Sequence, residues 1–344
     1  MEVKPFSEDQ VGPTMDFASR AAPHFTFNWA GREELLRWKY MEQTTVLPDQ
    51  PFPAWTVTEG GTVRGFLGSV VSDFRVRGQE KTGAAAMDLY LEEAARGRGA
   101  IQELMRLYEQ SAHVKLMLIS TPKAHGIYLH RGYAELTGLR IQSASWGLVG
   151  LARRLRKHVG SAPQADASQK VARLRDWIAA QPGVALLGEE DRPEIDAFVR
   201  EAQSRYDLAS LRDTGWLLWK YRRHPDQHGD VFVLRDQSGP RVVFAFAWRQ
   251  IKGPPQLALG DLFFRDPDDR EPLEILARYA RRLVRLTGAY SLTWIDCGSP
   301  FSRLLQGQAR TRSNSPLCSL LLGKGQQPMP DHRYISAGDG DYLR

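Results

Sequence analysis

The chain has 344 residues, 42% of them hydrophobic and 25% charged, and 46 Lys and Arg against 40 Asp and Glu leave a net charge of +6. This length exceeds one ordinary domain, while two cysteines, Cys297 and Cys318, exclude a disulfide framework and are too few for a structural zinc site. No apolar run approaches the roughly 20 residues that cross a bilayer, and the charged stretch from Met1 to Asp9 has no signal-peptide core, so a cytoplasmic protein with no membrane partner is expected.

A first helix-like segment ends in Leu36-Arg37-Trp38-Lys39-Tyr40, and Trp55 to Gly68 reads as strand, Gly60-Gly61 turn, strand. Asp88-Leu89-Tyr90-Leu91 reads as a strand that runs on into Arg96-Gly97-Arg98-Gly99-Ala100, a basic glycine turn opening a helix. Ile101, Leu104, Met105, Tyr108 and Ala112 then recur at helical spacing and should pack on a sheet. This layout suits an anion: residues without Cβ let the backbone bring its N–H groups to a phosphate, the helix adds its N-terminal dipole, and Arg96 and Arg98 add charge. An ordinary strand-to-helix turn with two solvated arginines is the competing reading. Val114 to Ile119 is a further short strand, followed by Ser120-Thr121-Pro122-Lys123-Ala124-His125-Gly126-Ile127-Tyr128-Leu129-His130-Arg131-Gly132-Tyr133.

Together these segments resemble the GNAT superfamily, the Gcn5-related N-acetyltransferases. In that family an Arg/Gln-x-x-Gly-x-Gly/Ala turn holds the pyrophosphate of acetyl-CoA, and a later helix carries a pattern like Asn-x-x-Ala-x-x-x-Tyr followed by Gly-Phe. Arg96 and Gly99 match the turn, with Ile101 where Gly or Ala is usual and Ala100 one place early. Ala124, Tyr128 and Gly132-Tyr133 match the second pattern, with Thr121 in place of Asn. The resemblance covers residues from about 25 to 150. It implies an α/β fold of the α+β kind, a mixed twisted sheet flanked by helices, with acetyl-CoA or another acyl-CoA as cofactor.

By the same resemblance Arg96, Gly97, Arg98, Gly99 and Ala100 hold the pyrophosphate. The backbone of Leu89, Tyr90 and Leu91 pairs with the pantetheine arm and polarises the thioester, and Tyr128 protonates the departing thiolate. Asp88, where the family often places a carboxylate, is the expected general base; His125, within one helical turn of Tyr128, is a reserve base. Each has a plainer reading: an orienting carboxylate, an aromatic packed beside Tyr133, and a surface histidine.

Residues 151–183 hold a basic run, Arg153-Arg154-Leu155-Arg156-Lys157-His158, then small residues with Pro and Gly, then a helical pattern from Lys170 to Ala180. Beyond them the chain repeats itself. Leu217-Leu218-Trp219-Lys220-Tyr221 echoes Leu36 to Tyr40, Val231 to Phe246 is again strand, turn, strand, and Asp261-Leu262-Phe263-Phe264 answers Asp88 to Leu91. Two tandem GNAT-like domains are expected, at 1–150 with the acyl-CoA site and at 184–325, with a linker at 151–183 and a tail at 326–344. Where the first copy has its glycine turn the second has Arg265-Asp266-Pro267-Asp268-Asp269-Arg270-Glu271-Pro272. Acids repel phosphate and prolines remove N–H donors, so no CoA is expected there. Arg278, Arg281, Arg282 and Arg285 should share a solvated helix face. No nucleic-acid motif accompanies the basic clusters, so no nucleic-acid partner is expected. His224-Pro225-Asp226-Gln227-His228 has no companion cluster, so no metal is expected.

The expected function is acyl-CoA-dependent transfer to a small-molecule amine. Thioester decarboxylation, transfer to a hydroxyl or carrier protein, and a non-catalytic acyl-CoA-binding module are the alternatives. Neither the acceptor nor the oligomeric state leaves a mark in the sequence.

Overall fold

Small side chains set the middle of the first sheet. In the computed structural model, which describes residues 1–25, 27–45, 47, 52–118, 120–146, 167–226, 228–249, 255–322 and 333–335, Gly83-Ala84-Ala85-Ala86 pass through the core. A Cβ on Gly83 would stand 2.2 Å from the Phe74 ring, so glycine is needed where that ring crosses the sheet. The basic run Arg153 to His158 and all of the expected tail except Arg333–Ile335 lie outside the described residues.

The chain divides into two compact units, one built from Met1–Leu136 with a strand at Ser319–Leu321, the other from Thr137–Pro316 with Arg333–Ile335. The first unit carries β1 (Glu2–Pro5), β2 (Ala54–Glu59), β3 (Thr62–Val76), β4 (Gln79–Leu91), β5 (Val114–Met117) and β6 (Ala134–Glu135). Its helices are α1 (Val11–Ala21), α2 (Glu33–Tyr40), α3 (Ala100–Ser111) and α4 (Pro122–His130). β1 to β4 run antiparallel, and β4 pairs parallel with β5 through the α3 crossover. Gly60 and Gly61 turn β2 into β3 with positive φ, as the spacing of the strands requires. Leu104, Met105 and Tyr108 bury the inner face of α3, and the Tyr108 hydroxyl donates to the Ala84 carbonyl at 2.7 Å.

The second unit carries β7 (Arg140–Ser145), β8 (Val184–Leu186), β9 (Leu208–Ser210), β10 (Gly229–Asp236), β11 (Gly239–Arg249), β12 (Gln256–Phe264), β13 (Leu292–Asp296) and β14 (Arg310–Asn314). Its sheet runs β14-β7-β13-β12-β11-β10-β8, and β12 with β13 is its parallel pair. The helix Arg270–Leu286 makes that crossover and turns Arg278, Arg281, Arg282 and Arg285 to solvent as expected. Among the described residues no helix is long and apolar enough to cross a membrane.

One boundary differs from the sequence reading. The expected first domain extends to residue 150, yet β7 lies in the second sheet, between β13 and β14. In the first sheet the place between β5 and β6 is taken by Ser319–Leu321 (β15). β7 and β15 thus each join a sheet built mostly from strands far along the chain, a non-local pairing that sequence spacing cannot encode.

Both sheets share a second device. Between Phe66↔Tyr90 and Gly68↔Met87 one residue of β3 faces two of β4, Asp88 and Leu89; between Phe244↔Leu262 and Phe246↔Leu259 one residue of β11 faces Gly260 and Asp261. Such a bulge bends the strand and re-aims its side chains.

Candidate active site

Two glycines shape the turn after β4. Gly97 and Gly99 have φ of 71° and 79°, and Gly99 is the N-cap of α3, with no side chain to cap it. The ladder of α3 begins with the Glu103 N–H on the Gly99 carbonyl at 3.1 Å. The N–H groups before it are left at the helix mouth, where an anion meets both them and the dipole. The arginines are less free than the sequence reading held. Arg96 Nε donates to the Leu91 carbonyl at 3.2 Å and its guanidinium lies over the Tyr90 ring, so it braces the turn. Arg98 is exposed and pairs with Glu59 at 2.6 Å, a screened pair that a phosphate can displace.

Past this turn α3 and α4 face each other across a groove of about 510 Å³, lined by Ile101, Gln102, Met105, Lys123, Gly126, Ile127, His130 and Arg131. Its volume is that of a small-molecule site. Arg131 grips Glu109 through two bonds of 2.6 and 2.7 Å, which ties the helices together and neutralises that cation. Lys123 is exposed, with no ion-pair partner among the described residues. The sequence reading missed this groove, although 123, 126, 127 and 130 are the i, i+3, i+4, i+7 face of one helix.

β5 ends its pairing at Met117 opposite Ala86, while β4 runs on through the bulge to Leu91. On that side Leu89, Tyr90 and Leu91 are therefore not paired with β5, so an extended ligand could add to the strand there. Asp88, at the bulge, has φ of 53° and is buried. Its Oδ2 accepts from Trp29 Nε1 at 2.9 Å, from Lys39 Nζ at 2.6 Å and from the Tyr40 hydroxyl at 2.5 Å. A general base must offer a lone pair to its substrate. An oxygen ringed by three donors, one of them a buried ammonium, is instead the anion that locks α2 to β4. Oδ2 is thus engaged by protein donors, which matches the plainer reading of an orienting carboxylate and leaves Oδ1 as the atom for the expected base role.

Tyr128 lies on the inner face of α4, away from the groove, in the cluster that holds Ala86, Met117 and Tyr133. Its ring meets Tyr133 edge-on at 5.0 Å, and its fully buried hydroxyl has no hydrogen-bond partner among the described residues. Burial pushes this hydroxyl well above the usual tyrosine range, so it keeps its proton. The hydroxyl is therefore a protonated donor with no acceptor among the described residues. His125 is buried rather than on the surface. Ser319 Oγ of β15 lies 3.0 Å from its Nδ1, and Glu135 lies 3.9 Å from its Nε2. Nothing in the sequence links Ser319 to His125 across 194 positions.

The second unit shows the same frame filled by its own side chains. Asp269 caps the helix Arg270–Leu286 and accepts the Glu271 N–H at 3.2 Å, so a carboxylate already sits where α3 has its open turn. Asp261 accepts from the Tyr221 hydroxyl at 2.5 Å and pairs with buried Arg212 at 3.6 Å, as Asp88 does with Tyr40 and Lys39. Arg333–Tyr334 (β16) pairs with β9, and the Tyr334 hydroxyl accepts the Leu262 N–H at 3.0 Å. Leu262 follows Asp261 as Leu89 follows Asp88, so Tyr334 takes the N–H that corresponds to that of Leu89.

No protein-family model matches the chain, and no curated protein matches it closely enough to count. Solved structures do. The N-myristoyltransferase of Saccharomyces cerevisiae, solved with bound myristoyl-CoA, superposes with a TM-score of 0.57 at 13% identity over 93% of this chain and 81% of its own. A probable N-acyltransferase from Enterococcus faecalis gives 0.57 at 13% over 93% and 72%. A GCN5-related N-acetyltransferase from Kribbella flavida gives 0.57 at 16% over 93% and 71%. At such identity a likeness establishes architecture, and the architecture of this chain is the GNAT fold.

Proposed function

We propose that the chain is an acyl-CoA-dependent N-acyltransferase built from two tandem GNAT-like copies. In this reading the first unit takes the acyl-CoA, with acetyl-CoA the first donor to try, and a small-molecule amine is the acceptor. The observation that carries it is the uncapped α3 N-terminus at Gly97 to Gly99, opening beside the α3–α4 groove, against its carboxylate-capped counterpart in the second unit. The N–H groups at the head of α3, with Arg98 and Lys123, would hold phosphate; the edge of Leu89 to Leu91 would pair with the pantetheine arm. The thioester supplies an activated acyl group, and the chain's part is to orient it and manage protons. Tyr128 holds at its hydroxyl the proton that a departing thiolate needs. With Asp88 Oδ2 bound by three donors, the amine proton is left to Asp88 Oδ1, to water or to His125. The hydroxyl of Tyr128, with no acceptor among the described residues, is available to give its proton to a thiolate, which supports an enzyme over a binding module.

Calorimetry of the full chain with acetyl-CoA and longer acyl-CoAs tests the reading. Micromolar binding of at least one is expected, weakened about tenfold by Arg98→Glu, which turns a phosphate contact into a repulsion. Arg270→Glu, at the start of the second unit's helix, should leave affinity unchanged. No binding of any acyl-CoA, or equal losses from both variants, would refute the one-site reading. Thiol release with a panel of amines then separates transfer from plain binding, and release without an acceptor would point to decarboxylation.

A further inference from the structure

We infer that His224, Asp226 and His228 form a site for one divalent transition-metal ion of the zinc class, on second-unit residues that the acyl-CoA reading does not use. The loop joins the helical turn Leu218–Arg222 to β10, and both ends are anchored. Arg222 donates to Asp230 at 3.0 and 2.8 Å, and the Trp248 N–H holds the His228 carbonyl at 2.7 Å. Gly229, next along, has no room for a Cβ, which would stand 2.8 Å from the Phe246 carbonyl. The residues that flank the loop are thus held before any ion arrives.

Between these anchors the two imidazole rings lie 3.8 Å apart at 57°. His224 Nδ1 accepts the Asp226 N–H at 3.1 Å and the Asp226 carboxylate lies 4.0 Å from the same nitrogen, so an ion bound through Nδ1 takes the place of that backbone hydrogen bond. One donor atom from each of the three residues lies within 4.8 Å of the others. A tetrahedral ion with bonds of about 2.0–2.1 Å sets its ligands roughly 3.4 Å apart, so the donors must close by at most about 1.4 Å. Asp226 is exposed and His228 half-buried, which leaves their side chains room to turn. Two imidazoles and one carboxylate suit zinc, nickel, cobalt or copper and not magnesium or calcium, which prefer oxygen shells. The nearby cations do not oppose an ion, because Arg222 is paired with Asp230 and Arg223 with Glu189. Three protein ligands leave a fourth position for water.

The test uses the full chain after treatment with a chelator. Zinc titration by calorimetry should give one ion per chain with a dissociation constant of about 10 µM or tighter, while magnesium gives no heat. Asp226→Asn with His228→Ala should weaken zinc binding at least about tenfold and abolish any rise in melting temperature that zinc produces. Asp226→Asn alone, on an exposed side chain, should weaken zinc in the same direction without changing the zinc-free melting temperature. Equal zinc binding by wild type and both variants, or none by the wild type, would overturn the site.

Discussion

Tyr128→Phe is expected to make the unliganded protein more stable and the enzyme slower. The hydroxyl is fully buried and unpartnered among the described residues, and a buried donor left unsatisfied costs about 1–3 kcal/mol. Phenylalanine keeps the ring against Tyr133 and removes that cost, so the folded state should gain about 1 kcal/mol in urea unfolding at pH 7. Turnover should fall about a hundredfold or more, the usual contribution of a general acid, with acyl-CoA affinity unchanged. The alkaline limb gives a third reading. Burial raises the Tyr128 pKa, and those of Tyr108 and Tyr133, so above about pH 10 the unfolded chain gives up protons that the folded one retains. Stability is therefore full below the ordinary tyrosine pKa and is lost as pH rises beyond it. The phenylalanine variant should lose less over that range than the wild type. Full turnover in Tyr128→Phe would remove it from the reaction, and a loss of stability would mean that the hydroxyl has a partner after all.

What could be read from the sequence was what local chemistry writes down. The turn at Arg96 to Ala100, the α3 face and the degenerate second turn at Asp266 to Pro272 all follow from backbone rules that act over a few residues. The repeats carried more than their helix-and-strand reading used. Lys39-Tyr40 and Asp88 recur as Lys220-Tyr221 and Asp261, and each pair of motifs proves to be one contact made twice, Tyr40 on Asp88 and Tyr221 on Asp261. Motifs repeated together in one order can be repeated because they touch. The strands that cross between halves were not readable, since β7 and β15 are short and their partners lie far along the chain. With β15 unplaced, the Ser319–His125 contact was unreadable too.

Asp88→Asn should act on stability before it acts on chemistry. The substitution leaves the Lys39 ammonium buried without its anion, and breaking one partner of a buried ion pair costs about 3–5 kcal/mol. It also weakens the bonds from Tyr40 and Trp29, and with them the hold of α2 on the bulge that shapes the end of β4. Lys39→Met in the same chain removes the stranded charge, so the double variant should regain most of the loss, which a double-mutant cycle in urea would measure. Asp261 supplies the control. It holds Tyr221 and Arg212 in the unit whose helix mouth is already capped by Asp269. Asp261→Asn should therefore destabilise by a comparable amount, although no acyl-CoA chemistry is assigned beside it. A general base behaves otherwise: its loss would abolish turnover in a fully stable Asp88→Asn protein, Lys39→Met would restore nothing, and Asp261→Asn would have no parallel effect. That pattern would return Asp88 to the reaction; matched destabilisation from both aspartates would fix it as the lock that holds each bulged strand in place.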